Sequence, residues 1–295
     1  MPDFVAEVRP VAVLQAGRCA DDRYPALAGD WVVGCVGSDD VNVAVSLHTG
    51  RVVTLTGAVG APGIGDGWLW APGRVTGAWV LPQATRGELP GGGAAALVPY
   101  AGIAPPAIRR DGGAEVVVPY EDHVDVIDLR RSTWPRYSAH PLPGEPVAVG
   151  EGWAAWTERG LNGEDVWIVG PAAVAPAPRV LVGGEGDQHD VAGAGSFVWY
   201  ADGAAVWRYD LVTKATVSFP ADTGFEAPLT VSDDGKVACW EDRSALKTGG
   251  DIDIRCSSGL HVERKGDQRW PSLGGGFLIW REGTQVIAAR LDPSG

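Results

Sequence analysis

A unit of about forty residues recurs along this chain, and a period of that length commits a sequence to stacked or ringed supersecondary units. Its clearest copy is Glu226 to Cys256, EAPLTVSDDGKVACWEDRSALKTGGDIDIRC. That copy contains a Pro-led apolar segment, an Asp-Gly turn, a β-rich segment ending in Trp, a polar loop and an alternating D-x-D-x segment. Aligned on the aromatic-ended segment, the copies are WVVGC (Trp31 to Cys35), GWLW (Gly67 to Trp70), VVVPY (Val116 to Tyr120), GWAAW (Gly152 to Trp156), SFVWY (Ser196 to Tyr200), VACW (Val237 to Trp240) and FLIW (Phe277 to Trp280).

Most copies begin with Pro, as in YPAL, APGI, PPAI, EPVAV, APLTV and WPSL, whereas the fifth has His189-Asp190-Val191 at that place. Each aromatic-ended strand is followed by an alternating one, such as HVDVIDL, EDVWIV or DIDIRC, and alternation marks strands with two different faces. A fourth segment usually follows, as in RVLVGG and KATVSFP. Four short antiparallel strands repeated at this spacing predict an all-β fold, a seven-bladed β-propeller of four-stranded blades. Six blades are the alternative if Leu81 to Pro106 is irregular.

The last copy ends without a fourth strand, and residues 7–14, EVRPVAVL, form one strand too many before the first copy. Pairing residues 7–14 with the C-terminal blade, 267–292, resolves both and makes residues 1–295 one domain with no open edge. Pro10 suits an outer strand, since Pro cannot donate to a ladder in mid-sheet.

Composition decides what such a fold is made of and which partners suit it. The 42 Gly and 22 Pro act as turn punctuation, because 45% hydrophobic residues and 13 Trp are far too many for a disordered chain. A net charge of −13 disfavours nucleic acid, whose binding depends on Lys and Arg displacing counterions. No apolar run reaches the roughly 18 residues of a membrane span, and the opening MPDFVAEVRPVAVLQ, broken by Asp3, Glu7 and Arg9, shows no span and no leader; a leader replaced ahead of Pro2 is the alternative, so this leaves the compartment open.

The cysteines bear on the compartment. Cys239 and Cys256 flank one predicted hairpin, and Cys19 and Cys35 another. Two local disulfides are expected if the registers place the partners opposite, which requires an oxidising compartment. The other reading is that the small thiols fill sheet interiors. There is no C-x-x-C spacing for zinc or redox chemistry.

The motifs resemble the TolB-like, WD40-like propeller repeats of bacterial exported and cell-surface proteins. The pieces are Pro25-Ala26-Leu27-Ala28-Gly29-Asp30, Trp240-Glu241-Asp242-Arg243 with Asp251-Ile252-Asp253-Ile254, and Val206-Trp207-Arg208-Tyr209-Asp210-Leu211. The resemblance is at the level of the repeat and implies a propeller, an extracytoplasmic setting and a binding scaffold with no fixed catalytic set. Cys35 stands where the strand-end Trp belongs, and the second and third copies are eroded.

In such a blade the second-to-third loops share a face with the fourth-to-first connections. The long second-to-third loops, Thr157 to Glu164 and Glu241 to Gly250, make that the expected binding face. Glu241, Asp242, Arg243 and Lys247 are candidates for partner contact. Arg23, Asp187, His189, Asp190, Glu226, Arg269 and Trp270 in the connections, with Trp153, are candidates for a polar ligand such as a sugar or a peptide terminus. For any one of them a solvated loop residue is the simpler alternative, and Asp190 can serve as a turn cap. The Trp70, Trp156, Trp199, Trp240 and Trp280 column repeats with the blades and is expected to pack between them.

Three functions fit: a non-catalytic scaffold binding a protein or glycan, a carbohydrate-active lyase or glycosidase using His189, Arg23, Arg269 and nearby carboxylates, or a structural surface component. No G-x-S-x-G, H-E-x-x-H, calcium loop or P-loop is present. No cofactor is implied; Ser232-Asp233-Asp234-Gly235 is explained by a turn before calcium.

Overall fold

The computed structural model describes residues 45–50, 115–128, 135–170, 177–222 and 229–291 with their side chains, together with 27, 32, 52, 107 and 109; elsewhere it describes strand backbone only. In chain order the strands are β1 (Pro10–Gln15), β2 (Ala26–Ala28), β3 (Trp31–Cys35), β4 (Asn42–Ser46), β5 (Val52–Thr54), β6 (Gly63–Gly65), β7 (Trp68–Gly73), β8 (Gly77–Leu81), β9 (Ala96–Val98), β10 (Ala107–Ile108), β11 (Glu115–Pro119), β12 (His123–Asp128), β13 (Arg136–Ser138) and β14 (Ala148–Gly150). There follow β15 (Trp153–Arg159), β16 (Glu164–Val169), β17 (Arg179–Val182), β18 (His189–Ala194), β19 (Phe197–Ala201), β20 (Ala205–Asp210), β21 (Thr216–Pro220), β22 (Thr230–Val231), β23 (Ala238–Asp242), β24 (Asp253–Cys256), β25 (His261–Val262), β26 (Gln268–Gly274), β27 (Phe277–Glu282) and β28 (Gln285–Arg290). A 3-10 helix, Ser244–Thr248, lies between β23 and β24. Among the described residues no helix is long and apolar enough to cross a membrane.

The chain separates into a continuous unit, Ala101–Lys236, and a discontinuous one, Met1–Tyr100 with Val237–Gly295. The continuous unit holds three up-and-down sheets, β10–β13, β14–β17 and β18–β21. Burial grades outward through each sheet. Strand β14 is buried throughout and β15 is buried up to its last residue, whereas the outer strands β17 and β21 are largely exposed. Continuous burial of β14 and β15 on both faces means that the β14–β17 sheet is covered on both sides, which is how blades stack.

The Trp column fills that space. Trp156 and Trp199 are fully buried; the Trp156 indole N–H donates to Glu158 Oε1 at 2.7 Å and that of Trp199 to the Gly235 carbonyl at 2.7 Å. Such a partner offsets the cost of burying an indole N–H.

In the discontinuous unit the strands order as β2–β5, as β6–β9, as β23–β25 and as β1-β28-β27-β26. Strand β9 falls in the stretch whose register the sequence left open, with Val98 opposite Ala78 of β8. Strand β1 pairs antiparallel with β28, Leu14 opposite Val286, with a register shift after Pro10. Leu27 and Val32 pack with Ile279, Val286 and Ala288, and Leu27 N–H donates to Ser272 Oγ at 3.0 Å. Trp240 and Trp280 are buried here as their counterparts are in the other unit. Cys239 lies directly opposite Cys256 in the β23–β24 ladder and is joined to it by a disulfide. Cys19 and the side chains of Cys35 and Trp70 lie outside the described residues.

Candidate functional site

Two blade junctions, one in each unit, are built from the same tripeptide. Gly186-Asp187-Gln188 leads into β18 and Gly266-Asp267-Gln268 into β26. In the first, Asp187 Oδ1 accepts the backbone N–H of Glu164 at 3.2 Å, and Gln188 N–H donates to the Glu164 carbonyl at 2.9 Å. In the second, Asp267 Oδ1 accepts from Ile252 N–H at 3.1 Å, and Gln268 N–H donates to the Ile252 carbonyl at 2.7 Å. Glu164 and Ile252 each stand where the second-to-third loop becomes the third strand. The Asp-Gln pair therefore brackets the end of that loop and ties it to the next blade.

Both glutamines are buried, and each turns its amide onto its own turn, Gln188 Nε2 to the Gly186 carbonyl at 3.2 Å and Gln268 Nε2 to those of Gly266 and Arg264. Two residues on, Asp190 and Trp270 adopt φ of 54° and 55°, and each inner strand shifts register immediately afterwards. A left-handed residue followed by a bulge turns the strand sharply, and Trp in that conformation is held only by its surroundings. The holding bonds are equivalent: Asp190 N–H donates to Glu145 Oε2 at 3.2 Å and Trp270 N–H to Glu241 Oε1 at 2.8 Å.

The electrostatics of the two junctions differ. His189 is 2% exposed, with Nδ1 2.7 Å from Asp190 Oδ2. Burial works against its imidazolium, but the bond to Asp190 and the charges of Asp190, Glu145 and Glu164 carry its pKa above the ordinary value. Burial likewise raises the Glu145 carboxyl, with the Asp190 N–H opposing the effect and the Asp190 charge adding to it. Burial also raises Glu164, assisted by Asp187. At the other junction Asp267 is lowered: burial opposes this, but hydrogen bonds from Ile252 N–H and Arg269 and the charges of Arg269 and Arg243 prevail. Arg269 reaches Asp267 Oδ2 at 3.0 Å, and the Arg281 guanidinium lies 5.0 Å from the Trp270 ring centroid. Among the described residues, no three His, Cys, Asp or Glu side chains are arranged to hold a metal ion.

The structure thus groups Asp187, His189 and Asp190 around Glu145 and Glu164, which the ligand candidates omitted, and Arg269 and Trp270 around Asp267 and Glu241. Much of what looked like ligand chemistry secures the blade junctions. Trp153, expected among the ligand candidates, is core: it is 3% exposed and donates to the Gly195 carbonyl at 2.8 Å. It also lies so close to Gly193 that a Cβ there would stand 2.5 Å from its Cη2. Arg23 and Glu226 lie outside the described residues.

The Glu241 to Gly250 loop divides into base and tip. Glu241 and Asp242, expected to contact a partner, are buried instead. Glu241 is 0% exposed and binds Trp270 N–H and Arg243, while Asp242 takes Ser244 N–H at 3.0 Å and pairs with Arg255. Arg243 is half-buried and Lys247 exposed on the 3-10 helix, beside Leu246 at 46% exposure.

The corresponding loop of the β14–β17 sheet carries a stronger signal, one that the sequence does not announce. Gly160 N–H closes on the Gly163 carbonyl at 2.7 Å, and between them Leu161 is 101% exposed. The loop base is fixed, since Gly163 packs on the next blade junction so closely that a Cβ would stand 2.1 Å from the Gly186 carbonyl oxygen. Asp165 and Glu164 are half-buried beside this loop, and Glu185 and Arg159 are exposed.

The fold is that of a β-propeller. Similar solved structures include the β-propeller domain of Cps50 (Swd1) from Myceliophteria thermophila, at 12% identity and TM-score 0.62 over 97% of this chain and 100% of that one. A chain of the mitotic checkpoint complex matches at 13% and 0.62, over 98% of this chain and 94% of that one. BamB from Moraxella catarrhalis matches at 14% and 0.54, over 96% and 99%. Identities this low establish the shared fold, which agrees with the repeat-level resemblance read from the sequence, and leave the activity to be argued from the site. No protein-family model and no curated protein matches the chain.

Proposed function

We propose that this propeller, read as one domain of seven blades, is a non-catalytic scaffold that binds a protein partner through its second-to-third strand loops. The observation that carries the proposal is Leu161: a leucine in full contact with water, on a loop whose base is bracketed by Asp187 and Gln188. An apolar side chain presented on a preorganised support loses little entropy on docking, which is how interface anchors work. Leu246 occupies the same connection of another blade. The carboxylates Glu164, Asp165 and Glu185 outnumber Arg159 near the Leu161 loop, and the chain carries a net charge of −13, so the fitting partner offers an apolar socket rimmed by Lys or Arg.

Membership of one similar chain in a multi-protein assembly supports a protein ligand. The Cys239–Cys256 disulfide supports an extracytoplasmic setting. The reading calls on no metal or cofactor.

The test compares proteins captured from the source cells by the wild-type chain and by Leu161→Asp and Leu246→Asp, with a glycan array in parallel. A protein enriched by the wild type and lost from either variant, at unchanged thermal midpoint, is expected. Capture indifferent to both substitutions overturns the proposal, and a glycan bound by the wild type but not by Arg269→Ala replaces it with the glycan reading.

A further inference from the structure

Trp270 occupies a place that local physics disfavours. Both junctions turn through a left-handed residue, with φ of 54° at Asp190 and 55° at Trp270. Asp is among the residue types that accept this region, whereas a bulky side chain there is a true outlier. Trp270 also precedes Pro271, and the residue before a proline favours extended backbone. Glu241 holds the turn through the Trp270 main-chain N–H, a bond that any residue other than proline would make, so the turn itself does not call for an indole. Backbone outliers of this kind persist where the side chain they present is used.

The ring is half-buried, unlike the fully packed Trp156, Trp199, Trp240 and Trp280, and the Arg281 guanidinium lies 5.0 Å from its centroid. Arg281 Nε donates to the Gly283 carbonyl at 2.8 Å, which fixes that guanidinium in place. In the β26–β27 ladder Arg281 stands directly opposite Arg269. Like charges directly opposite one another weaken a ladder, and such side chains leave it on one face. The part-exposed Arg269 guanidinium makes one hydrogen bond among the described residues, to Asp267 Oδ2 at 3.0 Å, so most of its donors remain for another acceptor. The neighbouring carboxylates are already engaged by other arginines, Glu241 by Arg243 and Glu282 by Arg264.

We propose that Arg269, Arg281 and the Trp270 ring form a seat for the C-terminal carboxylate of a partner chain, the guanidiniums taking its oxygens and the indole the apolar side chain of its last residue. Guanidinium donors match a carboxylate in shape as well as charge. An Asp or Glu side chain brings a carboxylate without an apolar body, whereas a chain terminus carries both on one residue. A net charge of −13 repels an acidic polymer, so a ligand with a single local negative charge suits this site better.

This inference rests on the reading of the propeller as a protein-binding scaffold and names the part of the partner recognised. Its test uses the full chain, labelled with nitrogen-15, and follows the Trp270 indole N–H resonance, assigned by its loss in Trp270→Phe. N-acetylphenylalanine as the free acid, its amide N-acetylphenylalaninamide, and glucuronate are titrated separately. The free acid is expected to shift the resonance saturably and the amide to leave it unmoved. Arg269→Gln and Arg281→Gln should each weaken binding about tenfold or more, the effect of losing a charged hydrogen bond, at unchanged thermal midpoint. Should Arg281→Gln fail to fold, Arg269→Gln carries the test, since it leaves the bond from Trp270 N–H to Glu241 in place. Acid and amide acting alike, no shift with either, or binding indifferent to the arginine variant that folds overturns the seat. A shift with glucuronate but not with the free acid also overturns it, in favour of a glycan. Failure of the seat with capture still lost in Leu161→Asp leaves the scaffold reading standing. Capture indifferent to Leu161→Asp, with the free acid still bound through Arg269, does the reverse.

Discussion

Asp187 and Asp267 make the same hydrogen bond in two different blades: each carboxylate takes the backbone N–H of the residue at the entry to the preceding blade's third strand, Glu164 in one case and Ile252 in the other. The surroundings then diverge. His189 and the acidic side chains of Glu145, Asp190 and Glu164 crowd the first junction, while Arg269 and Arg243 act on the carboxylate of the second.

That divergence predicts opposite acid responses. Asp267 is held below its ordinary value, so its contribution is present above the unfolded pKa and is lost as pH falls through the folded one. Amide protection at Ile252 and Gln268 should therefore drop below about pH 4, where an ordinary Asp titrates, while protection at Glu164 and Gln188 does not. Asp267→Asn should remove the drop. Parallel loss at both junctions would contradict the assignment.

Removing the Cys239–Cys256 bridge releases a 17-residue separation. The double Cys→Ser variant should lose roughly 3 kcal/mol of unfolding free energy, the chain-entropy estimate for a loop of this size. Equal denaturant midpoints with and without reductant in the wild type would contradict a bridge that matters to stability.

The base and tip of the 3-10 loop should respond differently. Glu241→Ala strands the Trp270 N–H and the Arg243 partner and should cost about 3 kcal/mol, as breaking a buried charged network does. Lys247→Ala, exposed on the tip, should stay within about 0.5 kcal/mol of wild type. Urea denaturation of the two variants measures both.

Trp153→Ala should cost about 3–5 kcal/mol, the range for emptying a buried aromatic site. Trp270→Ala, half-buried and covered on one side by Arg281, should cost clearly less. A reversed order of thermal midpoints would return Trp153 to the ligand candidates.

The contrast between those two tryptophans shows what the sequence could and could not reveal. Strand alternation and the recurring aromatic are local and periodic, so the blades and the burial of Trp156, Trp199, Trp240 and Trp280 were legible. Trp153 was misplaced because it stands outside the periodic column, and nothing local records that Gly150 and Gly193 leave room for it. Glu241 and Asp242 were misplaced because charged residues in a polar stretch are ordinarily solvated. Only the fold brings the Trp270 N–H onto one of them and Arg255 onto the other. The repeated Gly-Asp-Gln was present to be read, but its meaning lies in a bond to a residue of the preceding blade. Leu161 gave no signal, since one leucine in a polar loop is ordinary until its exposure is known.

The pairing of β1 with β28 has a consequence for how the protein is made. A ribosome delivers Ala101–Lys236 as one uninterrupted segment, so the continuous unit can complete its sheets while synthesis is still under way. The other unit cannot. Its strand β1 emerges ahead of the whole continuous unit and waits, with its ladder edge open, for Gln285–Arg290, which follows that unit. During that interval β1 is the segment most in need of shielding from pairing with a neighbouring copy, and Pro10, which offers no N–H to an intruding strand, stands at its start.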